Sequence, residues 1–390
     1  MTHTLTINIS SRIWQLFCLL SVLYTGTLLA TVIPAPPQIA ARGYVLQDFH
    51  SGKILVQALA DQRMEPASLT KMMTVYVVSH ELKEGNIKND DLVPISKRAW
   101  QAEGSRMFVE VNSQVKLEDL LKGVIIQSGN DASIALAEYV AGSEEAFVSL
   151  MNHHAARLGM LGSHFENSTG LPSPNHFSTP LDMAKLAQAV IRDFPLHYNW
   201  YSQKDFTYND IKQYNRNKLL WRDQSVDGIK TGHTESAGFC LVASAEKEGM
   251  RLVSVVMGTD SENARAAASQ QLLSYGFRFY QTHRLYSIGE QLFTTRVWMG
   301  KLKELPLGLN EELYVTIPRG KYDQLETNML IDDVIRAPIE SQEQIGQVQV
   351  ILESMEVAQR PLVALTEVEE GSLWRRLIDQ LILLFYQFLN

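Results

Sequence analysis

The 390-residue sequence is poor in cysteine, with only Cys18 and Cys240. Cys18 lies in an N-terminal stretch that reads as a removable leader, so the processed chain would keep one cysteine and could close no internal disulfide. That cysteine, Cys240, sits in the apolar run 238–245, which predicts a buried structural thiol. Positive charge is also scarce. Thirty-five Lys and Arg face 43 Asp and Glu, for a net charge of -8, which argues against a nucleic-acid partner. Zinc-peptidase spacing is missing too: His80-Glu81 would open such a motif, but position 84 is Glu. No cofactor is expected.

What is present describes a globular chain, 45% hydrophobic and 20% charged, with length enough for two domains. Residues 1–30 look like a secretory signal: Arg12 is the sole charge, 13–24 is apolar, and Thr25, Gly26, Thr27 and Ala30 follow. Leu28 is large for the cleavage motif, so an uncleaved anchor is the alternative. Phe17 before Cys18 argues against lipoprotein processing.

Over 31–281 the pattern is mixed. Residues 44–49, the turn His50-Ser51-Gly52 and 53–57 read as a β-hairpin. Helices are expected over 69–82, 117–126, 131–140 and 143–158, and from Pro180 behind a Thr179 cap to just before Pro195. Runs 238–246 and 251–258 alternate as antiparallel strands, and 260–281 is a last helix. Helices set between early and late strands give α+β architecture. Residues 282–368 change texture, with short β-rich runs at 290–298, 313–318, 347–352 and 361–365, the pattern of a small all-β sandwich. Residues 369–390 form a linker and a tail helix. Leu373, Trp374, Leu377, Ile378, Leu381, Ile382, Phe385, Phe388 and Leu389 recur at helical spacing. Seventeen residues rise only ~26 Å, which predicts a helix lying on a membrane surface, with packing on its own domain as the alternative.

Chemistry concentrates in three places. In Glu65-Pro66-Ala67-Ser68-Leu69-Thr70-Lys71, Ser68 and Lys71 are three apart and so share one face of a helix that opens an apolar run. A hydroxyl at such a helix start, with an amine in reach, suits an activated nucleophile, although an N-cap serine has the same spacing. Ser113/Lys116 and Ser244/Lys247 share that spacing without opening an apolar helix. Second, Ser128-Gly129-Asn130 interrupts two helices, where Ser128 could relay a proton and Asn130 could hold a substrate amide and bond Lys71. Third, Lys230-Thr231-Gly232-His233 precedes a strand pair. On an edge strand, Gly232 would let a substrate backbone approach, and Lys230 and Thr231 would offer donors to a carboxylate.

In this order the three motifs resemble the penicillin-interacting serine hydrolases, and their flanks resemble D-alanyl-D-alanine carboxypeptidases of the penicillin-binding protein 5 type. The resemblance implies a transpeptidase-like domain with an antiparallel sheet flanked by helices, a β-rich second domain, and a tail that anchors the protein on the periplasmic side of the bacterial inner membrane. It also implies covalent inhibition by β-lactams and acyl transfer from peptidoglycan stem peptides ending in D-Ala-D-Ala. Ser68 would be the nucleophile, Lys71 its base, and Ser128 the proton relay. Backbone N–H groups of Ser68 and His233 would hold the oxyanion. Thr231 and Arg265 would hold the terminal carboxylate, and Arg216 would support the site. Burial and the charge of Lys230 would both lower the pKa of Lys71.

Alternatives remain at this level. A β-lactamase of class A needs a Glu in a Glu-x-x-Leu-Asn loop, which is missing. A non-catalytic β-lactam sensor would not need all three motifs intact. Endopeptidase or transpeptidase activity differs only in the acyl acceptor, which is not a residue.

Overall fold

The computed structural model describes residues 33–389, and side chains through 385. The expected signal lies outside the described residues. The first domain is built on a five-stranded antiparallel sheet in the order Ile54–Ala58, Gly43–Asp48, Met250–Thr259, Gly238–Lys247, Val226–Thr234. Early and late strands therefore meet in one sheet, as the α+β pattern requires, and Val226–Thr234 lies at its edge.

Alternation sorts the sheet's two faces. Val45, Val253, Val255 and Met257 join the large core that also holds Met72, Met73, Val77 and the Pro180–Asp193 helix residues Leu186 and Val190. On the other face, Leu46 and Leu252 meet the helix Glu262–Phe279. A Cβ on Gly276 of that helix would stand 2.5 Å from Leu252 Cδ1, so the absence of a side chain sets how closely helix and sheet pack. Lys71–Lys83 runs through the middle of the helical layer and is buried on all sides over 71–79. That explains its lack of an apolar stripe: a helix enclosed all round has no solvent face to pattern. Thr179 caps Pro180–Asp193, accepting from Asp182 N at 3.1 Å.

The second domain begins with Tyr280–Tyr286, directly after the helix Glu262–Phe279, and pairs it with Leu313–Pro318. A six-stranded sheet completes it, and Leu313, Val315 and Ile317 share a core with Val348, Val350 and Leu362 from that sheet. Strands Glu304–Gly308 and Leu325–Ile331 lie outside the expected runs. The latter alternates half-buried and exposed positions, with no buried row for a hydrophobic pattern to reveal.

The tail forms the helix Leu373–Leu389 and docks by its polar side. Asp379 accepts from Met299 N at 2.7 Å. Arg375 donates to the carbonyls of Lys301 and Leu302 at 3.0 and 3.2 Å. Leu373, Trp374, Leu377, Ile378, Leu381, Leu384 and Phe385 face outward, exposed.

Candidate active site

The turn that carries Ser68 begins where the chain is held in an unusual conformation. Ala67 has φ 48°, left-handed for a residue with a Cβ. A Cβ on Gly170 would stand 1.9 Å from Ala67 O, so position 170 must be glycine for this turn to pack. Ala67–Thr70 is one 3₁₀ turn, and the α-helix starts only at Lys71. The helix read from the sequence thus begins later, and Ser68 stands on the tighter turn. There residues three apart are nearly eclipsed, and Lys71 Nζ lies 3.3 Å from Ser68 Oγ.

Lys71 is fully buried. Its Nζ donates to Asn130 Oδ1 and to Thr169 O, both at 2.6 Å. Burial, then the charge of Arg216, pull the amine down to about 7, against the raising effect of Asp131 and Glu144. A neutral amine has two hydrogens, and both have acceptors here. Its lone pair is left toward Ser68 Oγ, the geometry of a general base.

Asn130 is held by its other end. Its Nδ2 donates to Glu103 O at 2.6 Å, which turns Oδ1 toward Lys71. The helical break that carries it has a specific shape: Leu117–Lys122 passes into a π turn over Gly123–Gln127, Ser128 takes φ 67°, and a new helix starts at Asn130. π turns of this kind often mark functional sites. Ser128 Oγ is buried at the cleft wall with no hydrogen-bond partner among the described residues. Asp131, the next residue, accepts from the N–H groups of Met107 and Phe108, each at 2.9 Å, and so ties the 104–109 loop to the motif.

The edge strand supplies the opposite wall. Thr231, Gly232 and His233 line the cleft, and the His233 ring stacks on Phe239 with centroids 4.0 Å apart. An added Cβ on Gly232 would meet Pro66 O at 2.8 Å, so its bare Cα also makes room for the chain leading to Ser68. Lys230 is buried behind this wall and donates to Thr231 O at 3.2 Å. Burial first, then Lys71, Arg216 and Arg265, push its amine well below the ordinary lysine range. The main charge acting on Lys71 is thus Arg216, where the sequence had suggested Lys230. Arg265 donates to Gly232 O at 3.1 Å and, with Arg216, lines the cleft of about 440 Å³.

Residues 30–261 match the D-alanyl-D-alanine carboxypeptidase family. The chain belongs to that family. Residues 280–370 match the C-terminal domain of penicillin-binding protein 5. The chain is 41% identical to the D-alanyl-D-alanine carboxypeptidase DacA of Escherichia coli strain K12, over 97% of its own length and 98% of that protein's. It is 44% identical to DacC of the same strain over 90% of each. Penicillin-binding protein 5 of Haemophilus influenzae has a similar structure, with a TM-score of 0.84 at 42% identity, covering 86% of this chain and 100% of that one. The carboxypeptidase therefore has the penicillin-binding transpeptidase fold followed by a C-terminal β domain.

Neither competing Ser-x-x-Lys pair forms a site in this carboxypeptidase. Ser113 Oγ donates to Glu110 O at 2.6 Å. Ser244 Oγ accepts from Arg251 at 2.8 Å, and Lys247 stands 3.7 Å from Asp223.

Several positions around Lys71 carry no signal in the sequence. The Thr169 carbonyl is aimed by its neighbour Ser168, which is clamped from both sides. Glu144 Oε1 accepts from Ser168 N at 2.9 Å and from its hydroxyl at 2.7 Å. Thr74 Oγ1 donates to Ser168 O at 2.7 Å. Arg98 holds the other Glu144 oxygen at 2.6 Å. In the same loop His176 Nδ1 accepts from Glu166 N at 3.1 Å, so its Nε2 carries the proton and donates to Thr70 Oγ1 at 2.7 Å. A lone acid behind a Ser143 cap and a lone loop histidine carry no spacing signal. They become legible only when helix and loop are packed together.

Proposed function

We propose that this family member removes the terminal D-alanine from peptidoglycan stem peptides ending in D-Ala-D-Ala, through an ester on Ser68. The observation that carries it is the Lys71 amine, buried, lowered to about 7, and with acceptors other than Ser68 for both its hydrogens. In this scheme Lys71 takes the Ser68 proton, and Oγ attacks the carbonyl of the penultimate D-alanine. The N–H groups of Ser68 and His233 stabilise the oxyanion. Ser128 relays that proton from Lys71 to the departing amine, a role that suits a cleft-wall hydroxyl with no hydrogen-bond partner among the described residues. Water then attacks the ester, with Lys71 again as base. Arg216 and Arg265 at the wall, with Thr231, suit a free terminal carboxylate and so an exopeptidase.

β-Lactams would acylate the same Ser68. Penicillin-binding protein D2 of Listeria monocytogenes, solved in an ampicillin-bound form, has a TM-score of 0.58 at 26% identity over 63% of this chain. Rapid hydrolysis of that acyl-enzyme is not part of the reading. The acid of the 165–178 loop, Glu166, is engaged by Ser173 and Asn175 and does not line the cleft. The test is D-alanine release from a D-Ala-D-Ala peptide together with labelling by a fluorescent penicillin. Ser68→Ala should abolish both, and labelling that persists in Ser68→Ala refutes the assignment.

The tail supports a surface anchor on the periplasmic side of the inner membrane. A terminal helix packed for stability would bury its apolar stripe; here the polar side is docked and Leu373, Trp374, Leu377, Ile378, Leu381 and Phe385 of the stripe face out. No helix among the described residues is long and apolar enough to cross a membrane, and an interfacial helix needs only one apolar face.

A further inference from the structure

A hollow of about 860 Å³ lies between the tail helix and the β domain, apart from every residue of the acyl-transfer scheme. Arg296, Lys303 and Glu304 of the β domain and Arg375, Ile378 and Asp379 of the helix line it. Asp379 is engaged in docking the tail, accepting from Met299 N at 2.7 Å. Arg296 Nη2 and Arg375 Nε stand 3.9 and 4.0 Å from its two oxygens, too far for hydrogen bonds. The Arg296 guanidinium lies over the Trp298 ring, 3.6 Å from its centroid. Lys303 and Glu304 have no side-chain hydrogen bond or ion pair among the described residues. The hollow therefore presents three cations that still have N–H groups to donate, and one carboxylate, Glu304, that accepts from none.

The tail sets the depth at which this hollow would meet a bilayer. Ile378 belongs both to its wall and to the exposed apolar row of the helix. Arg375 is three residues earlier and so on the same side of the helix. A helix lying on a bilayer sinks its apolar face to the boundary between headgroups and acyl chains, so groups flanking that face stand at the level of the lipid phosphates. The hollow, with its β-domain wall, is one of those flanks.

Resting on the surface-anchor reading above, we infer that this hollow takes the headgroup of one phospholipid that ends in a primary ammonium, a phosphoethanolamine. Its singly charged phosphodiester sits among Arg296, Lys303 and Arg375, and its ammonium donates to Glu304. A phosphocholine offers the same phosphate, but its methylated nitrogen has no hydrogen to give Glu304. The β domain is then held to the bilayer by its own side chains as well as by the tail.

The experiment reads binding of the full chain to vesicles of phosphatidylcholine alone, or of phosphatidylcholine and phosphatidylethanolamine in equal parts. Binding of the chain deleted for 373–390 is subtracted, which leaves the tail-dependent part. Both vesicles are uncharged overall, so surface potential does not separate them. Wild type should bind the mixed vesicles about three- to fivefold more tightly, as expected for one partly exposed ion pair. Glu304→Gln should bind both alike. Lys303→Gln should weaken binding to both about two- to fivefold and keep the preference. Arg376→Gln removes a tail cation that pairs with Glu370 outside the hollow, and should also keep the preference. Penicillin acylation should stay within about twofold in all three variants and so reports an intact fold. Equal binding to both vesicles by wild type, a preference that survives Glu304→Gln, or wild-type binding by Lys303→Gln overturns the inference and leaves the surface anchor in place. No tail-dependent binding to either vesicle overturns both.

Discussion

Replacing Lys71 by arginine keeps a positive charge behind Ser68 but removes the residue's ability to accept a proton, because a guanidinium does not deprotonate in a protein. With the amine at about 7, about one Lys71 in eleven is neutral at pH 6 and about ten in eleven at pH 8. The wild-type penicillin acylation rate should therefore rise about tenfold between those two values and level off above them. Lys71→Arg should lose at least ~10²-fold in acylation, the low end for general-base catalysis, and lose the pH rise as well. Stopped-flow acylation by a fluorescent penicillin measures both. A wild-type rate flat from pH 6 to pH 8, or a Lys71→Arg rate within tenfold of wild type, refutes the base. The same burial has a stability consequence. The gap between about 7 and the ordinary 10.5 converts to about 5 kcal/mol at ~1.4 kcal/mol per pH unit. Between those values the unfolded chain holds the extra proton, so this cost is complete below pH 7 and vanishes as pH rises through 10.5. Denaturation of wild type against Lys71→Met across this range should show a difference that narrows or reverses in favour of wild type toward high pH.

Glu144→Gln keeps an acceptor for Ser168 but removes a charge that raises Lys71, so the midpoint of the acylation profile should move to lower pH. An upward shift counts against the assigned role. Asp131→Asn leaves one oxygen where two took the Met107 and Phe108 N–H groups, and urea unfolding should show a loss of about 1–3 kcal/mol. Unchanged stability would mean the loop is held otherwise. Gly232→Ala should disturb the chain before Ser68 through the 2.8 Å approach to Pro66 O, slowing acylation by penicillin as well as by peptides. If it slows peptides alone, the space serves the substrate after all. Deleting 373–390 should leave acylation intact and release the chain from membrane vesicles, and retention on vesicles would locate the anchor elsewhere.

The sequence by itself singled out the residues proposed here as the catalytic set. Ser68, Lys71, Ser128, Asn130 and Lys230 sit in short motifs whose spacing is local, and spacing within a turn or a strand survives any tertiary arrangement. The strand pair 238–259 and the capped helix from Pro180 were legible for the same reason: their signals lie within a few residues of the element they specify. Tertiary structure decided how those residues work. The amine of Lys71 is placed and lowered through Asn130 and Thr169, which stand 59 and 98 residues away, and through burial that no local pattern encodes. Glu144 acts on it only because a helix and a loop are packed side by side. Gly232 and Gly170 turn out to be shaped by the chain on either side of Ala67, a contact between distant segments. The tail makes the same point from the other end of the molecule. Its amphipathic pattern was plain, but which face docks depends on where Met299, Lys301 and Leu302 present their backbone groups, and that is set by the folding of the β domain.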